Sequence, residues 1–328
     1  MSTDINIVAQ SVFASQAYAA FYNCNALDLL RDMCDDSVDI VVTSPPYEDA
    51  RAYRGHCNGL VGEEWVSWMK EVFLECVRVC RGAVCFVVEG RTRNFEYSGI
   101  PFLLFTDLLR AGVKMRKPPI YKRLGICGKS DFFRNCYEPI IVGSKHGRLP
   151  WSDPTACGGP PKFKPGGDPT HRTASGERVR KGNRRPDGSR EVKRYKPPER
   201  VNYGNIIDCG AGGQLGSKLA GHHEAPFPRK VPDVLIQSLC KPGGLVFDPF
   251  MGSGTTGASA IENGRNFIGV DLSREYTCLG IERIETETEA LGVKCWRTYA
   301  DSSWSPTSTK EVAGRVMSED LKTEPITA

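Results

Sequence analysis

At 328 residues, with 40% hydrophobic and 25% charged side chains and a formal net charge of +4, the chain has room for one sizeable α/β domain plus an insertion. No apolar run approaches the ~20 residues that a membrane helix needs, and Met1 to Gln10 lacks the basic n-region of a signal peptide. The thirteen cysteines are odd in number and form no C-x-x-C pair, which suits a reduced, cytoplasmic interior with no metal site rather than a disulfide framework or zinc.

The charge is uneven. Between Pro160 and Arg200 thirteen basic residues stand against five acidic ones, a net +8 on a remainder that sums to −4, and such a segment suits a polyanionic partner. In chain order, residues 38–43 (VDIVVT) are a β-branched run expected to be a buried strand ending at Ser44-Pro45-Pro46-Tyr47. Residues 63–80 repeat Trp65, Trp68, Met69, Val72, Phe73, Cys76 and Val77 at helical spacing. Residues 83–88 read as a second buried strand, 102–110 as a helix closed by Gly112, and 138–144 as a further strand. From 151 to 205 the periodicity vanishes, and glycine, proline and basic residues predict an irregular insertion. Regular structure resumes with a helix over 230–239 and a strand over 245–247. A glycine loop over 251–257 then opens a helix through 262, followed by a strand over 266–270 ending at Asp271 and a long helix over 274–289.

The alternation predicts an α/β fold: a doubly wound, mostly parallel Rossmann-like sheet with an irregular basic insertion. Residues 1–150 and 206–300 would then be two halves of one domain interrupted by 151–205, and the Ser/Thr-rich 301–328 is expected to be a disordered tail.

Two constellations carry chemistry. In Asp248-Pro249-Phe250-Met251-Gly252-Ser253-Gly254-Thr255-Thr256-Gly257 a strand feeds a glycine turn that opens a helix, where free N–H groups and the helix dipole favour an anion. Asp271 ends the next strand, nineteen residues beyond Gly252, where a carboxylate accepts hydrogen bonds from ribose hydroxyls. The glycines alone also fit a dinucleotide fold or a tight turn without ligand, while the lack of a following Lys argues against a P-loop.

The second constellation is Thr43-Ser44-Pro45-Pro46-Tyr47, at the carboxyl end of a strand. Two prolines remove two N–H donors and stiffen the turn, leaving carbonyl acceptors beside an aromatic ring. An exocyclic amino group suits such a site, because its lone pair is delocalised into the base. Acceptors at Ser44 Oγ and the Pro45 carbonyl would hold its N–H bonds and turn the lone pair toward an incoming methyl, while Tyr47 stacks on a base swung out of its duplex. A Pro-Pro turn that merely ends a strand is the alternative.

Together the two loops resemble the amino-methyltransferases of DNA, the family that modifies N4 of cytosine or N6 of adenine. Its members carry [S/D/N]-P-P-[Y/F/W] and D-P-F-x-G-S-G-T-T motifs. The order here, catalytic motif first, resembles the circularly permuted β group. Asn25-Ala26-Leu27 ahead of the Asp39–Thr43 strand is a further match, and Glu224-Ala225-Pro226-Phe227-Pro228 is similar to the family's helix over the methionine end of the cofactor. The resemblance spans roughly residues 22 to 285. It implies S-adenosyl-L-methionine as methyl donor and double-stranded DNA as substrate, with the basic insertion in the position of a target-recognition region and Phe163 or Tyr195 available for stacking. A homodimer and a cognate restriction endonuclease stay open as partners.

Residue by residue, the resemblance implies catalytic roles for Ser44, Pro45, Pro46 and Tyr47. It implies cofactor contacts from Asn25, Ala225, Phe227, Asp248, Pro249, Phe250, Gly252, Ser253, Gly254, Thr255 and Asp271. Asn25, expected near the adenine amino group of the cofactor, stands where many relatives carry Asp. Ser44 favours cytosine N4, since Asp is usual at that position for adenine N6. Cytosine C5 chemistry is disfavoured, because no cysteine follows a proline to supply the attacking thiolate. Two readings from other classes are an NAD-dependent oxidoreductase, which has no evident use for the Ser-Pro-Pro-Tyr turn, and a catalytically silent nucleic-acid-binding protein on the same scaffold. RNA also stays open as a substrate.

Overall fold

The computed structural model describes residues 17–48, 59–123, 133–162, 170–180, 182–184, 190–192, 196–209, 227–290 and 295–300. Ala225, Phe163, Tyr195 and the tail from 301, on which expectations fall, lie outside the described residues.

Strand β1 (Ala17–Tyr22) leads into helix α1 (Ala26–Asp32), and β2 (Val38–Thr43) occupies the β-branched run. Helix α2 (Gly62–Val79) buries Trp65, Met69, Val72, Phe73 and Cys76, the residues that recur at helical spacing. It runs directly into β3 (Cys80–Val87), so the strand starts three residues before the expected 83. Gly82 makes the early start feasible: a Cβ there would stand 2.1 Å from the Asp39 carbonyl, so only glycine lets β3 close on β2 at this point.

A hairpin of β4 (Thr92–Arg93) and β5 (Glu96–Tyr97) follows, then helix α3 (Ile100–Arg110), β6 (Ile120–Lys122) and β7 (Tyr137–Ser144). Beyond the insertion come β12 (Ile206–Asp208), α4 (Lys230–Leu239), β13 (Leu245–Asp248), α5 (Thr255–Glu262), β14 (Asn266–Val270), α6 (Arg274–Ala290) and β15 (Cys295–Ala300). The insertion itself contains β8 (Thr170–Arg172), β9 (Arg178–Arg180), β10 (Gly182–Arg184) and β11 (Arg190–Val192). These pair antiparallel, β8 with β9 and β10 with β11, as short three-residue ladders that the irregular reading of this segment did not include. Strands this polar have no apolar alternation to betray them, and their pairing rests on backbone hydrogen bonds.

Among the described residues nine strands form one sheet in the order β12-β6-β7-β3-β2-β13-β14-β1-β15. Every pairing is parallel except those of β7, which runs antiparallel to β3 and to β6. The central strands are almost wholly apolar and buried, as a sheet covered on both faces requires. Cys76, Cys80, Cys85 and Cys240 are buried free thiols that act as small hydrophobes. Among the described residues no helix is long and apolar enough to cross a membrane.

The chain divides into two compact units, one made of Met1–Asp153 with Asn205–Ala328 and the other of Pro154–Gly204. The second unit is closed by a stem. Val201 N–H donates to the Gly159 carbonyl at 3.0 Å, Tyr203 N–H to Pro154 at 2.8 Å, and the Arg200 guanidinium to Gly158 at 2.9 Å.

Candidate active site

The functional loops meet because β2 and β13, far apart in sequence, are neighbours in the sheet: Ile40 pairs with Val246 and Val41 with Phe247. Both strands are parallel, so their carboxyl ends lie on one edge, at the place where open α/β sheets bind ligands. Thr43 Oγ1 bridges them by donating to Asp248 Oδ1 at 2.5 Å in a buried setting. Thr256 Oγ1 reaches the Val42 carbonyl at 3.3 Å from the far side of the glycine loop.

On the glycine loop, Asp248 Oδ1 also accepts from Phe250 N–H at 3.0 Å, while the buried Oδ2 has no hydrogen-bond partner among the described residues. Burial pushes this carboxyl up from the ordinary 3.8 to about 6, against the hydrogen bonds that it accepts. Gly252 and Gly254 turn the chain at φ 52° and 74°. Gly254 must be glycine twice over, since a Cβ there would also stand 2.9 Å from the Gly280 carbonyl of α6. Pro249 is buried and Phe250 half-buried, its ring edge-on to Trp68 with centroids 5.9 Å apart. Asp271, half-buried, is tied to the same loop: its Oδ2 accepts from Gly252 N–H at 2.9 Å and its Oδ1 from Ser273 N–H at 2.8 Å.

Four of the expected cofactor residues are engaged or buried by the fold instead of presenting open side chains. Ser253 and Thr255 face Arg283, whose guanidinium donates to Thr255 Oγ1 at 2.7 Å and to the Ser253 carbonyl at 3.4 Å. Asn25 is the N-cap of α1, its Oδ1 accepting from Leu27 N–H at 2.9 Å. Phe227 is buried immediately ahead of α4.

The Ser-Pro-Pro-Tyr loop is held from several sides. Trp65 Nε1 of α2 donates to the Pro46 carbonyl at 2.9 Å, which leaves the Pro45 carbonyl as the one of the pair that no described donor takes. The Tyr47 hydroxyl donates to Glu138 Oε2 at 2.8 Å, and Ser44 Oγ donates to the Tyr47 oxygen at 3.4 Å. Burial, and then the Glu138 charge, raise the Tyr47 phenol well above its ordinary value, so it stays protonated and a donor. Glu138, buried at the start of β7, also pairs with Arg123 at 3.0 Å and is bonded by Tyr121. Glu48, fully buried next to Tyr47, accepts from Gly62 N–H at 2.9 Å and so fastens the loop to the start of α2.

Sequence reasoning missed Glu138, Glu48, Trp65 and Arg283 as parts of this site. An acid opening an otherwise apolar strand was the available signal for Glu138. Arg283 and Glu287, spaced i,i+4 on a helix, look like a surface pair, and nothing local marks Arg283 as fully buried.

A glycine turn with two carboxylates thus stands beside a rigid acceptor loop on a mostly parallel sheet with one antiparallel strand. A family model described as DNA methylase, covering the N6- and N4-methylating enzymes, matches residues 38–282. The chain belongs to that family, whose methyl donor is S-adenosylmethionine. It is 29% identical over 260 residues to the orphan methyltransferase M.BamHII of Bacillus amyloliquefaciens, a match covering 76% of this chain and 90% of that one. It is 26% identical over 272 residues to the DNA adenine methyltransferase YhdJ of Escherichia coli K12, covering 80% and 81%. Among solved structures, the cytosine-N4-specific PvuII DNA methyltransferase superposes with a TM-score of 0.57 at 19% identity, over 86% of this chain and 95% of that one.

Proposed function

We propose that this chain methylates N4 of cytosine in duplex DNA at a specific sequence. S-adenosylmethionine supplies a methyl group already activated by its sulfonium, so the protein's task is chiefly alignment. Ser44 Oγ and the Pro45 carbonyl accept the two N–H bonds of the amino group and direct its lone pair. Tyr47, pinned at its hydroxyl by Glu138, offers its ring to the base. No strong base is needed, because the amino nitrogen becomes acidic only as the new bond forms. Asp271 serves the ribose, and Asp248, Pro249, Phe250, Gly252 and Gly254 shape the methionine end, with Phe227 covering it.

The residues fit such a donor better than they fit a dinucleotide. Asp248 has a buried oxygen that no described residue bonds beside the glycine turn, and Asp271 stands at the same turn. Two carboxylates there favour a cationic ligand and repel a pyrophosphate. The observation that carries the proposal is the Thr43–Asp248 hydrogen bond, which joins the acceptor loop to the glycine loop within one buried contact. Ser44 carries the choice of cytosine, because a neutral hydroxyl stands where adenine-modifying relatives usually place a carboxylate. The relative described as a DNA adenine methyltransferase gives adenine N6 as the second reading.

The test is incubation of the purified chain with mixed-sequence duplex DNA and labelled S-adenosylmethionine, followed by digestion to nucleosides and mass spectrometry. N4-methylcytosine is expected. N6-methyladenine would keep the alignment chemistry and overturn the reading of Ser44. Cofactor binding without label in DNA would overturn DNA as the substrate.

A further inference from the structure

Strand β3 carries at its carboxyl end a short hairpin that neither loop of the site accounts for. Because β3 lies parallel to β2, with Thr43 paired to Phe86, the hairpin emerges on the same edge as Ser44–Tyr47. Its root is tied to the catalytic loop through Glu48, which accepts from Arg91 N–H at 3.3 Å and lies 3.9 Å from the Arg91 guanidinium. The root is stiff. Tyr97 OH donates to Glu89 at 2.7 Å, and Gly90 approaches Tyr97 so closely that a Cβ would stand 2.9 Å from the ring.

Within the hairpin Thr92 pairs with Tyr97 and Arg93 with Glu96, which leaves Asn94-Phe95 as a two-residue turn. Both have left-handed backbones, with φ 47° and 67°. This is the pattern of a type I′ turn, in which asparagine suits the first position and glycine the second. The chain has phenylalanine at the second position, where a side chain is strained, and leaves it 71% exposed. A large apolar ring in a disfavoured backbone state, held in water by a rigid stem, works against folding on both counts. Such strain, beside a catalytic loop, points to a use.

We propose that Phe95 is a wedge that enters the base stack of duplex DNA and fills the space left by the extruded target base. The amino group cannot reach Ser44 while its base is stacked, so the base must leave the duplex and a gap must open. Apolar side chains unstack base steps in this way, and an aromatic ring restores part of the lost stacking. Arg93, exposed on the same hairpin, is placed to meet a flanking phosphate. A second copy of this chain is another surface that could cover an exposed ring. A single ring on a narrow turn, flanked by arginine and rooted in the catalytic loop, fits a duplex better than a flat protein face.

The inference rests on the DNA-methyltransferase reading, and its test separates the two. Phe95→Gly relieves the turn, so the fold and S-adenosylmethionine affinity are expected to persist. On a duplex carrying the sequence that the wild type methylates, single-turnover methylation should slow about tenfold or more. On the same duplex with the target base left unpaired opposite an abasic position, Phe95→Gly should match the wild type, and Phe95→Trp should restore the rate on the intact duplex. Equal rates on the intact duplex, equal slowing on both substrates, or slowing that follows a change of oligomeric state in sedimentation would each overturn the wedge and leave the function standing. A wild type that methylates neither duplex would remove the function and the wedge with it.

Discussion

At the scale of single residues, Asp248 is where folding and binding pull in opposite directions. Its carboxyl is buried and raised to about 6, so the folded state holds the proton more tightly than the unfolded chain does. The sign follows: this group's contribution to stability is present in full below the ordinary 3.8 and is lost as pH rises through about 6. Asp248→Asn has nothing to ionise, and its Oδ1 can still accept from Thr43 and Phe250. The variant should therefore gain on the wild type between pH 4 and pH 8, by on the order of 2 kcal/mol. It should bind S-adenosylmethionine more weakly at neutral pH, because a neutral amide no longer attracts a cationic ligand. Thermal melts across this pH range and calorimetric titration at pH 7.5 check both halves. A variant whose stability tracked the wild type at every pH would show that the carboxylate is solvated.

At the scale of elements, the glycine loop depends on a helix that sequence reasoning did not connect with it. Arg283 of α6 is fully buried, bonded to Ser253 and Thr255, and its Nε donates to Glu287 at 2.8 Å. Glu287 has a second partner, Arg229, at 2.9 Å. Arg283→Met fills most of the volume and leaves Glu287 paired, so the loss falls on the loop. The expected cost is about 2–4 kcal/mol, with a several-fold weaker affinity for S-adenosylmethionine. A urea midpoint equal to the wild type would mean that the loop stands without the guanidinium.

The same scale shows what was legible. Apolar runs bounded by turn residues located β2, β13, β14, α2 and α4 to within a residue or two, because burial on both sheet faces leaves a continuous signal. Strand β1, AYAAFY, was missed: alanine has little strand preference, and its conformation comes from pairing with β14 and β15 on either side. Strands β6 and β12, three residues each, are too short to carry a period. The direction of β7 was also out of reach, since an antiparallel strand buried on both faces reads like its parallel neighbours. At the site, the Ser-Pro-Pro-Tyr and glycine loops were legible as motifs. Their bracing by Glu138, Glu48 and Arg283 was not, because each of these contacts joins residues distant in sequence.

At the scale of the whole molecule, charge is divided as the structure is divided. The net +8 between Pro160 and Arg200 falls inside the compact unit Pro154–Gly204, while the catalytic unit carries the compensating negative charge. The basic unit is an internally closed element with a hydrogen-bonded stem. Gly158 lies so close to Val201 that a Cβ would stand 1.7 Å from its carbonyl, so the stem admits no side chain there. An acidic body with a basic appendage should bind DNA through the appendage, and phosphate contacts leave a quantitative mark. Each one releases condensed counterions and contributes about −0.9 to the slope of log K against log salt. Lys162, Arg172, Arg178 and Lys196 are exposed in this unit, and replacing all four with glutamine removes charge without touching the stem. The slope should become shallower by about 0.9 for every one of the four that meets a phosphate. Affinity should fall on all sequences alike, and S-adenosylmethionine binding should not change. Fluorescence anisotropy on one duplex at several salt concentrations measures the slope, and an unaltered slope would place the phosphate contacts elsewhere on the chain.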